Sequence, residues 1–392
     1  MSNKAVYIGF LNSTNLGDLE IVNQQLLQLS NIYDNVDIYS WDFDSKVLVS
    51  NIDVEKKKSI NLKAKVHNIY QKYFRKLMLF DYLHSLKIKS NYRNKIKNYD
   101  FIQSVKQCDI IFIGGGNVFF DITTYSPSYY KLKLVNELAA KYNKEIYILQ
   151  AGIGPFKTKP QIENIIKELK KVKYISVRDI KSKKLLNQQK INPVLSVDPV
   201  FSLNSQKKSY YQKNCVGISL MDLSFNKMKQ DVILKYEKLI LEIIYMLEKN
   251  GKSIILFSSE PKDYTFINEL VTKENLNVEV IYISNRNQLI DIFNKIDFTI
   301  ATRMHSMIFS ISQNTAVLGI SWQDKIEGMY KTLGIENYYL DINKLELHRK
   351  LFFNNIEQFI NGKYYDVNSV KKYAEDKVLN EFQLISRKIN EK

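Results

Sequence analysis

The chain has 392 residues, 45% of them hydrophobic and 25% charged, which fits a globular protein of two domains and excludes a disordered chain. A formal net charge of +16 favours anionic partners: phosphorylated small molecules, anionic lipid surfaces or nucleic acid. The only cysteines, Cys108 and Cys215, exclude a disulfide framework and a cysteine metal site, and suit a reducing compartment.

The first residues, MSNKAVYIGFL, enter a strand pattern directly and offer no small-residue cleavage site. No run approaches the roughly 18 apolar residues of a spanning helix. The expectation is a cytoplasmic protein whose access to a membrane is at the surface. KAVYIGF, CDIIFIGGG, KEIYILQAGIG and KYISVRD read as strands in the first half. NCVGISL, KSIILFS, VEVIYIS, DFTIAT and TAVLGISW read as strands in the second. Amphipathic stretches lie between them, as at 231–249, where Ile233, Tyr236, Ile240, Ile243 and Leu247 recur at helical spacing. Apolar strands alternating with helices predict parallel sheets covered by helices, an α/β fold. The alternation pauses over 196–214, SVDPVFSLNSQKKSYYQKN, which predicts a linker. Two Rossmann-like domains are expected, 1–200 and 201–392, facing across a cleft at the carboxyl ends of their strands. A last helix, about 365–391, is expected to pack back on the first domain.

Residues 51–107 break the pattern. They hold fourteen Lys and Arg against four acids, with no clear strand, and read as a basic helical insertion. Val66, Ile69, Tyr73, Leu77 and Phe80 form an apolar stripe at helical spacing, interleaved with Lys65, Lys72, Arg75 and Lys76. Such a helix rests on an anionic membrane surface or partner, or packs on its own domain with a solvated basic face. The second use is the commoner.

Five clusters carry candidate chemistry. LNSTNLGD, residues 11–18, is a donor-rich turn with Asp18 at the start of a helix. Its backbone can meet an anion, or Asp18 can simply favour the helix N-terminus. The spacing is not GxGxxG, so a dinucleotide site is not supported. IGGGNVFFD (113–121) and AGIGPF (151–156) end strands in glycines that let backbone approach a ligand or a neighbouring loop. Arg178, in SVRDIKS, stands at a strand end. A guanidinium there grips a phosphate or carboxylate, or pairs with Asp179 or Asp198. In TIATRMHSM (299–307), Thr302 is a candidate N-cap, Arg303 a fixed positive charge and His305 a proton donor near neutral pH. In SWQDKIEGM (321–329), Lys325 can reach the same cleft edge, and Trp322 can stack on a ring or join the core. There is no metal-ligand cluster in the sequence, and no metal is expected.

In the order NxGD, GGGN, AGxGP, VRDxxS, DPVF, TRxHS and GISWxxKxxG, these stretches resemble the polysaccharide pyruvyl transferase family. The resemblance runs over about 15–334 and leaves 51–107 outside the pattern. Each motif is weak alone, but seven in this order are specific. The resemblance implies a GT-B-like fold and transfer of the enolpyruvyl unit of phosphoenolpyruvate to a sugar of a cell-surface polysaccharide or its precursor. The products would be a pyruvate ketal and phosphate. It also implies that Arg178, Arg303 and His305 hold or protonate phosphoenolpyruvate, with His305 and Asp18 catalytic. A hydroxyl of the sugar would be deprotonated with help from Asp18 or Asp198. Asn15, Gly17, Gly115, Gly116, Asn117, Gly152, Gly154, Ser306 and Lys325 match further substrate-binding positions. Phosphoenolpyruvate is the donor substrate, and no cofactor is expected. The acceptor is a sugar or a lipid-linked oligosaccharide. A lipid link would give 51–107 a purpose, peripheral contact with the anionic inner face of the membrane.

The alternative is a GT-B-type glycosyltransferase using a nucleotide sugar. Many retaining enzymes of that kind carry paired glutamates near the start of a C-domain helix, and HSMIFSISQNTAVLGIS holds no acid. A basic scaffold or nucleic-acid-binding protein is disfavoured, because neither an RNP-like motif nor a helix-turn-helix signal is present. No nucleic-acid partner is expected.

Overall fold

The computed structural model describes residues 3–11, 13, 15–43, 46–48, 78–121, 123–204, 214–226 and 228–391. Contacts divide the chain into two compact units, 1–14 with 18–196 and 15–17 with 197–392. The stripe residues Val66, Ile69, Tyr73 and Leu77, and the side chain of Phe80, lie outside the described residues.

The first unit runs β1 (Lys4–Gly9), α1 (Leu16–Leu29), β2 (Asn35–Ser40), β3 (Lys46–Leu48), α2 (Met78–Lys95), α3 (Tyr99–Gln107) and β4 (Ile110–Ile113). It continues with β5 (Phe119–Asp121), α4 (Ser128–Lys141), β6 (Glu145–Ala151), β7 (Ile153–Phe156), α5 (Lys159–Leu169), β8 (Tyr174–Val177), α6 (Ile180–Gln188) and β9 (Val194–Leu195). Seven strands form one sheet in the order β3-β2-β1-β4-β6-β8-β9. Only the β2–β3 pairing in it is antiparallel. Its central strands are apolar on both faces, with Val6, Ile8, Ile111, Ile113, Ile146 and Ile148 buried on one and Tyr7, Phe112 and Tyr147 buried on the other, as a sheet covered on both sides requires. Helix α6 begins at Asp179, whose carboxylate accepts from Ser182 N at 2.8 Å and so caps the first turn.

The second unit runs β10 (Cys215–Ser219), α7 (Gln230–Lys249), β11 (Ser253–Ser258), α8 (Pro261–Glu274), β12 (Glu279–Tyr282), α9 (Arg286–Lys295) and β13 (Phe298–Ala301). Then come α10 (Met304–Ser312), β14 (Ala316–Ser321), α11 (Asp324–Leu333), β15 (Tyr339–Asp341), α12 (Leu345–Ile360) and α13 (Val367–Asn390). Its sheet is fully parallel, in the order β12-β11-β10-β13-β14-β15. This is the 3-2-1-4-5-6 order of Rossmann folds. The periodic residues of α7, Ile233, Tyr236, Ile240, Ile243 and Leu247, are all buried against it.

The start of the predicted linker is core instead. Asp198 caps a 3-10 turn, Pro199–Ser202, by accepting from Val200 N at 3.1 Å, and Val200 and Phe201 are buried. Apolar side chains of DPVF override the polar look of the stretch. Residues 205–213 lie outside the described residues. Helix α13 clusters with the second unit and packs on this turn, on α10 and on α11.

Both thiols are interior. Burial pushes Cys108 up to about 12 and Cys215 up to about 11, so almost no thiolate exists at pH 8. A thiol reagent at pH 8 should therefore leave the native protein unmodified over minutes and titrate two thiols once denaturant is added. Rapid reaction of two thiols without denaturant would contradict this packing.

Candidate functional site

In each sheet, the chain leaves the first strand towards one side and returns on the other. The crevice outside the carboxyl ends at such a point is where ligands of open α/β sheets bind. In the second unit, that point lies between β10 and β13. Thr302 extends the ladder by one residue, its N–H donating to Ser219 O at 2.9 Å. Its hydroxyl shares a 2.9 Å hydrogen bond with Tyr236 Oη, which also accepts from Met221 N at 3.2 Å. Burial holds the Tyr236 phenol far above its ordinary pKa, so it stays neutral and serves as a hydrogen-bonding post. Thr302 is thus not the N-cap expected from sequence. That position falls to Arg303, which makes no side-chain cap. The N-terminal end of α10 keeps its partial positive charge for an anion.

Arg303 is held from below. Its Nε donates to Asp263 Oδ2 at 2.6 Å, and Asp263 Oδ1 accepts from Asp222 N at 3.0 Å. The Asp263 side chain is 1% exposed and that of Arg303 31% exposed. Among the described residues, no hydrogen bond is made by the two Nη atoms of Arg303. The guanidinium is therefore clamped by one edge and offers the other, the arrangement that suits bidentate anion binding. Ser306 Oγ is tied to Ser219 Oγ at 2.7 Å, which joins α10 to the end of β10.

His305 is the second residue of α10 and is half-buried. Residues 15–17, which cluster with this unit, explain the glycine of NxGD. Asn15 Oδ1 accepts from Gly17 N at 2.8 Å and folds the loop. A Cβ on Gly17 would stand 2.2 Å from His305 Cγ and Nδ1, so only glycine leaves room for the imidazole. Lys325 is half-buried in the first turn of α11.

In the first unit, the corresponding point lies between β1 and β4. Asp18, in the first turn of α1, accepts from Ser13 Oγ at 3.1 Å. A Cβ on Gly116 would lie 3.3 Å from Asp18 Oδ1 and 3.7 Å from Arg178 Nη1. Asp18 and Arg178 therefore flank one glycine. The two Gly-rich exits are laced together: Gly152 N donates to Gly116 O at 2.9 Å and Asn117 Nδ2 to Gly154 O at 3.0 Å. A Cβ on Gly152 would stand 2.4 Å from Asn117 Oδ1. Gly115, at φ +97°, donates its amide to Gln25 Oε1 at 3.0 Å, so this N–H is spent on the fold and not on a substrate. The same buried oxygen accepts from Tyr7 Oη at 2.6 Å, and Gln25 Nε2 donates to Leu149 O and Gln150 Oε1. Gln25 thus ties together β1, the β4 exit and β6. Asp179 gives its carboxylate to Ser182 N and Oγ, each at 2.8 Å.

Asp263, Ser219 and Gln25 were not singled out from the sequence, and Tyr236 was read there only as part of a helical apolar stripe. The one available signal was Asp263 itself, an acid in the first turn of a helix that follows a buried strand.

The steric argument at Gly17 is directly testable. Gly17→Ala should displace the His305 ring and lower turnover by at least tenfold while the far-UV circular dichroism and melting temperature stay near wild type. Unchanged turnover in that variant would show that the imidazole position does not matter.

A family model described as polysaccharide pyruvyl transferase matches residues 15–324, most of the chain. The amylovoran biosynthesis protein AmsJ of Erwinia amylovora is 22% identical, over 78% of this chain and 78% of AmsJ. The UDP-GlcNAc 2-epimerase of Neisseria meningitidis, solved bound to UDP-GlcNAc, superposes with a TM-score of 0.56 at 12% identity, covering 99% of this chain and 100% of that one. The UDP-GlcNAc 2-epimerase of Methanocaldococcus jannaschii gives 0.56 at 10% identity, covering 98% and 99%. HepE of Anabaena, solved with UDP and glucose, gives 0.52 at 9% identity, covering 100% of both chains. At these identities the likeness is one of fold, a two-domain α/β architecture of the GT-B type. With the motifs from Asn15 to Ser306 inside the matched span, the chain belongs to the polysaccharide pyruvyl transferase family.

Proposed function

We propose that the protein transfers the pyruvyl unit of phosphoenolpyruvate to a sugar of a cell-surface polysaccharide or its precursor, on the cytoplasmic side. The observation that carries this reading is the Arg303 clamp. Asp263 fixes Nε at 2.6 Å, and Arg303 itself is the N-cap residue of α10. A donor with a carboxylate and a phosphate suits a guanidinium, a helix N-terminus and a further cation. Arg303 takes one anionic group of the donor, and Arg178, Ser306 and Lys325 are assigned to binding. Kinship with an amylovoran biosynthesis protein supports a polysaccharide acceptor.

The chemistry follows from the residue types. His305 delivers a proton to C3 of the enol, and C2 becomes electrophilic. One sugar hydroxyl adds at C2, its proton taken by Asp18. A second hydroxyl then displaces phosphate and closes the cyclic ketal. Of the two hydroxyl protons, one replaces that given to C3 and the other leaves with phosphate. The reaction balances without a cofactor.

A second reading has its own support. The UDP-GlcNAc-bound epimerase and HepE with UDP and glucose share the fold, so a nucleotide sugar is the rival donor.

Calorimetric titration separates the two. Phosphoenolpyruvate should bind the wild type, and UDP-glucose and UDP-GlcNAc should not. Arg303→Lys keeps a positive charge beside Asp263 but loses the planar fork. It should weaken donor binding by about 10- to 100-fold, the range of a charge-assisted hydrogen-bond pair. His305→Ala should bind the donor yet turn over about 100- to 10,000-fold more slowly, the usual worth of a general acid. Tight binding of a UDP-sugar with no response to phosphoenolpyruvate would overturn the proposal.

A further inference from the structure

We propose that the outer face of α2 docks on an anionic phospholipid surface. The proposal goes beyond the transfer reaction and does not rest on the identity of the donor. Helix α2 carries Lys87, Lys89, Arg93 and Lys95 against one acid, Asp81. Its two faces have different work. On the inner face, Lys89 Nζ lies 5.5 Å from the Tyr129 ring centroid and 5.9 Å from that of Tyr130. Tyr92 receives Lys131 Nζ at 4.6 Å, Lys95 Nζ lies 3.9 Å from Asp42 Oδ2, and Ile96 beyond the helix is buried. Asn98 closes the anchor by donating to Phe43 O at 3.0 Å. These contacts fix the helix about its axis.

The opposite face is therefore held outward. Tyr82, Leu83 and Leu86 are 62%, 51% and 42% exposed. Lys87, Ser90, Arg93 and Asn94 continue the exposed face, with Lys97 just beyond it. At 100° per residue these positions fall within an arc of about 140°, running about 20 Å along the helix. No acid stands on that arc, since Asp81 lies on the other side. Large apolar side chains at one end with cations beside them are what an interfacial helix needs. The apolar groups enter the acyl boundary, and the cations meet lipid phosphates. The charge points to a membrane over a neutral protein groove. The surrounding segment, 51–107, carries fourteen Lys and Arg against four acids. A solvated face would have no use for three neighbouring exposed apolar side chains of this size.

Flotation of the full-length protein with vesicles tests the surface. Vesicles of phosphatidylglycerol and phosphatidylcholine should carry the wild type upward at low salt, and phosphatidylcholine alone should not. Each cation near such a surface is worth about fivefold in partitioning. The triple variant Lys87→Glu, Arg93→Glu and Lys97→Glu should therefore float at least 30-fold less. Leu83→Ser with Leu86→Ser, which leaves the charge unchanged, should also lower recovery several-fold. All five positions are exposed, so melting temperatures should match wild type. The proposal is overturned if the wild type fails to float or if either variant floats as well as the wild type. Equal binding to neutral vesicles also overturns it. So does a wild-type dimer in light scattering that Leu83→Ser with Leu86→Ser dissociates, because the face would then belong to a second copy of the chain.

Discussion

Parallel strand order is the constraint from which the rest follows. In each sheet, the first strand, β1 or β10, has its successor on one side and a later strand on the other. The two connections leave in opposite directions, so no helix covers the carboxyl ends between them. The chain must turn there without regular structure. At these ends stand residues that stood out in the sequence: Asp18 and GGGN in the first unit, and Arg303 with His305 in the second. The topology explains why chemistry-bearing residues gather at these ends and why apolar runs precede them.

A polar group at such a point is useful only if something holds it. Buried partners do this in both units. Asp263 grips Arg303 by one edge of its guanidinium, and Gln25 gathers Tyr7, Gly115 and Gln150 beneath the glycine exits. Each partner is itself satisfied, so little desolvation cost is left unmet. Glycines do the remaining work by absence. Gly17 leaves space for His305, and Gly116 turns the chain at φ +83° with Ile21 and Asp18 packed close against it. Gly17 and Gly152 are explained by what a methyl group would strike, and Gly115, Gly116 and Gly154 by their positive φ.

Nine strands were legible from apolar runs; eight of them form the centres of both sheets and β12 is an edge. Strand β2 was not, because NVDIYS carries a charge. Asp37 is buried there, paired with Lys4 Nζ at 3.0 Å and bonded by Ser104 Oγ at 2.5 Å. Neither partner is a sequence neighbour, so the local pattern reads as polar. The candidate site residues were legible too, since unusual types end apolar strands. Their supports were not. Asp263 lies forty residues from Arg303 in the chain, and Tyr236 lies sixty-six from Thr302. Thr302 was misread for the same reason. Locally it looks like a cap, but a distant phenol claims its hydroxyl.

The central claim is that the clamped arginine at the end of β13 receives the donor anion. A diffraction map of the protein crystallised with phosphoenolpyruvate tests this most directly. The account predicts donor oxygens within hydrogen-bond distance of the Nη atoms of Arg303, with His305 in reach of the enol carbon. Donor density elsewhere with that edge untouched would contradict it, as would a UDP-sugar occupying the end of β13 when both ligands are supplied.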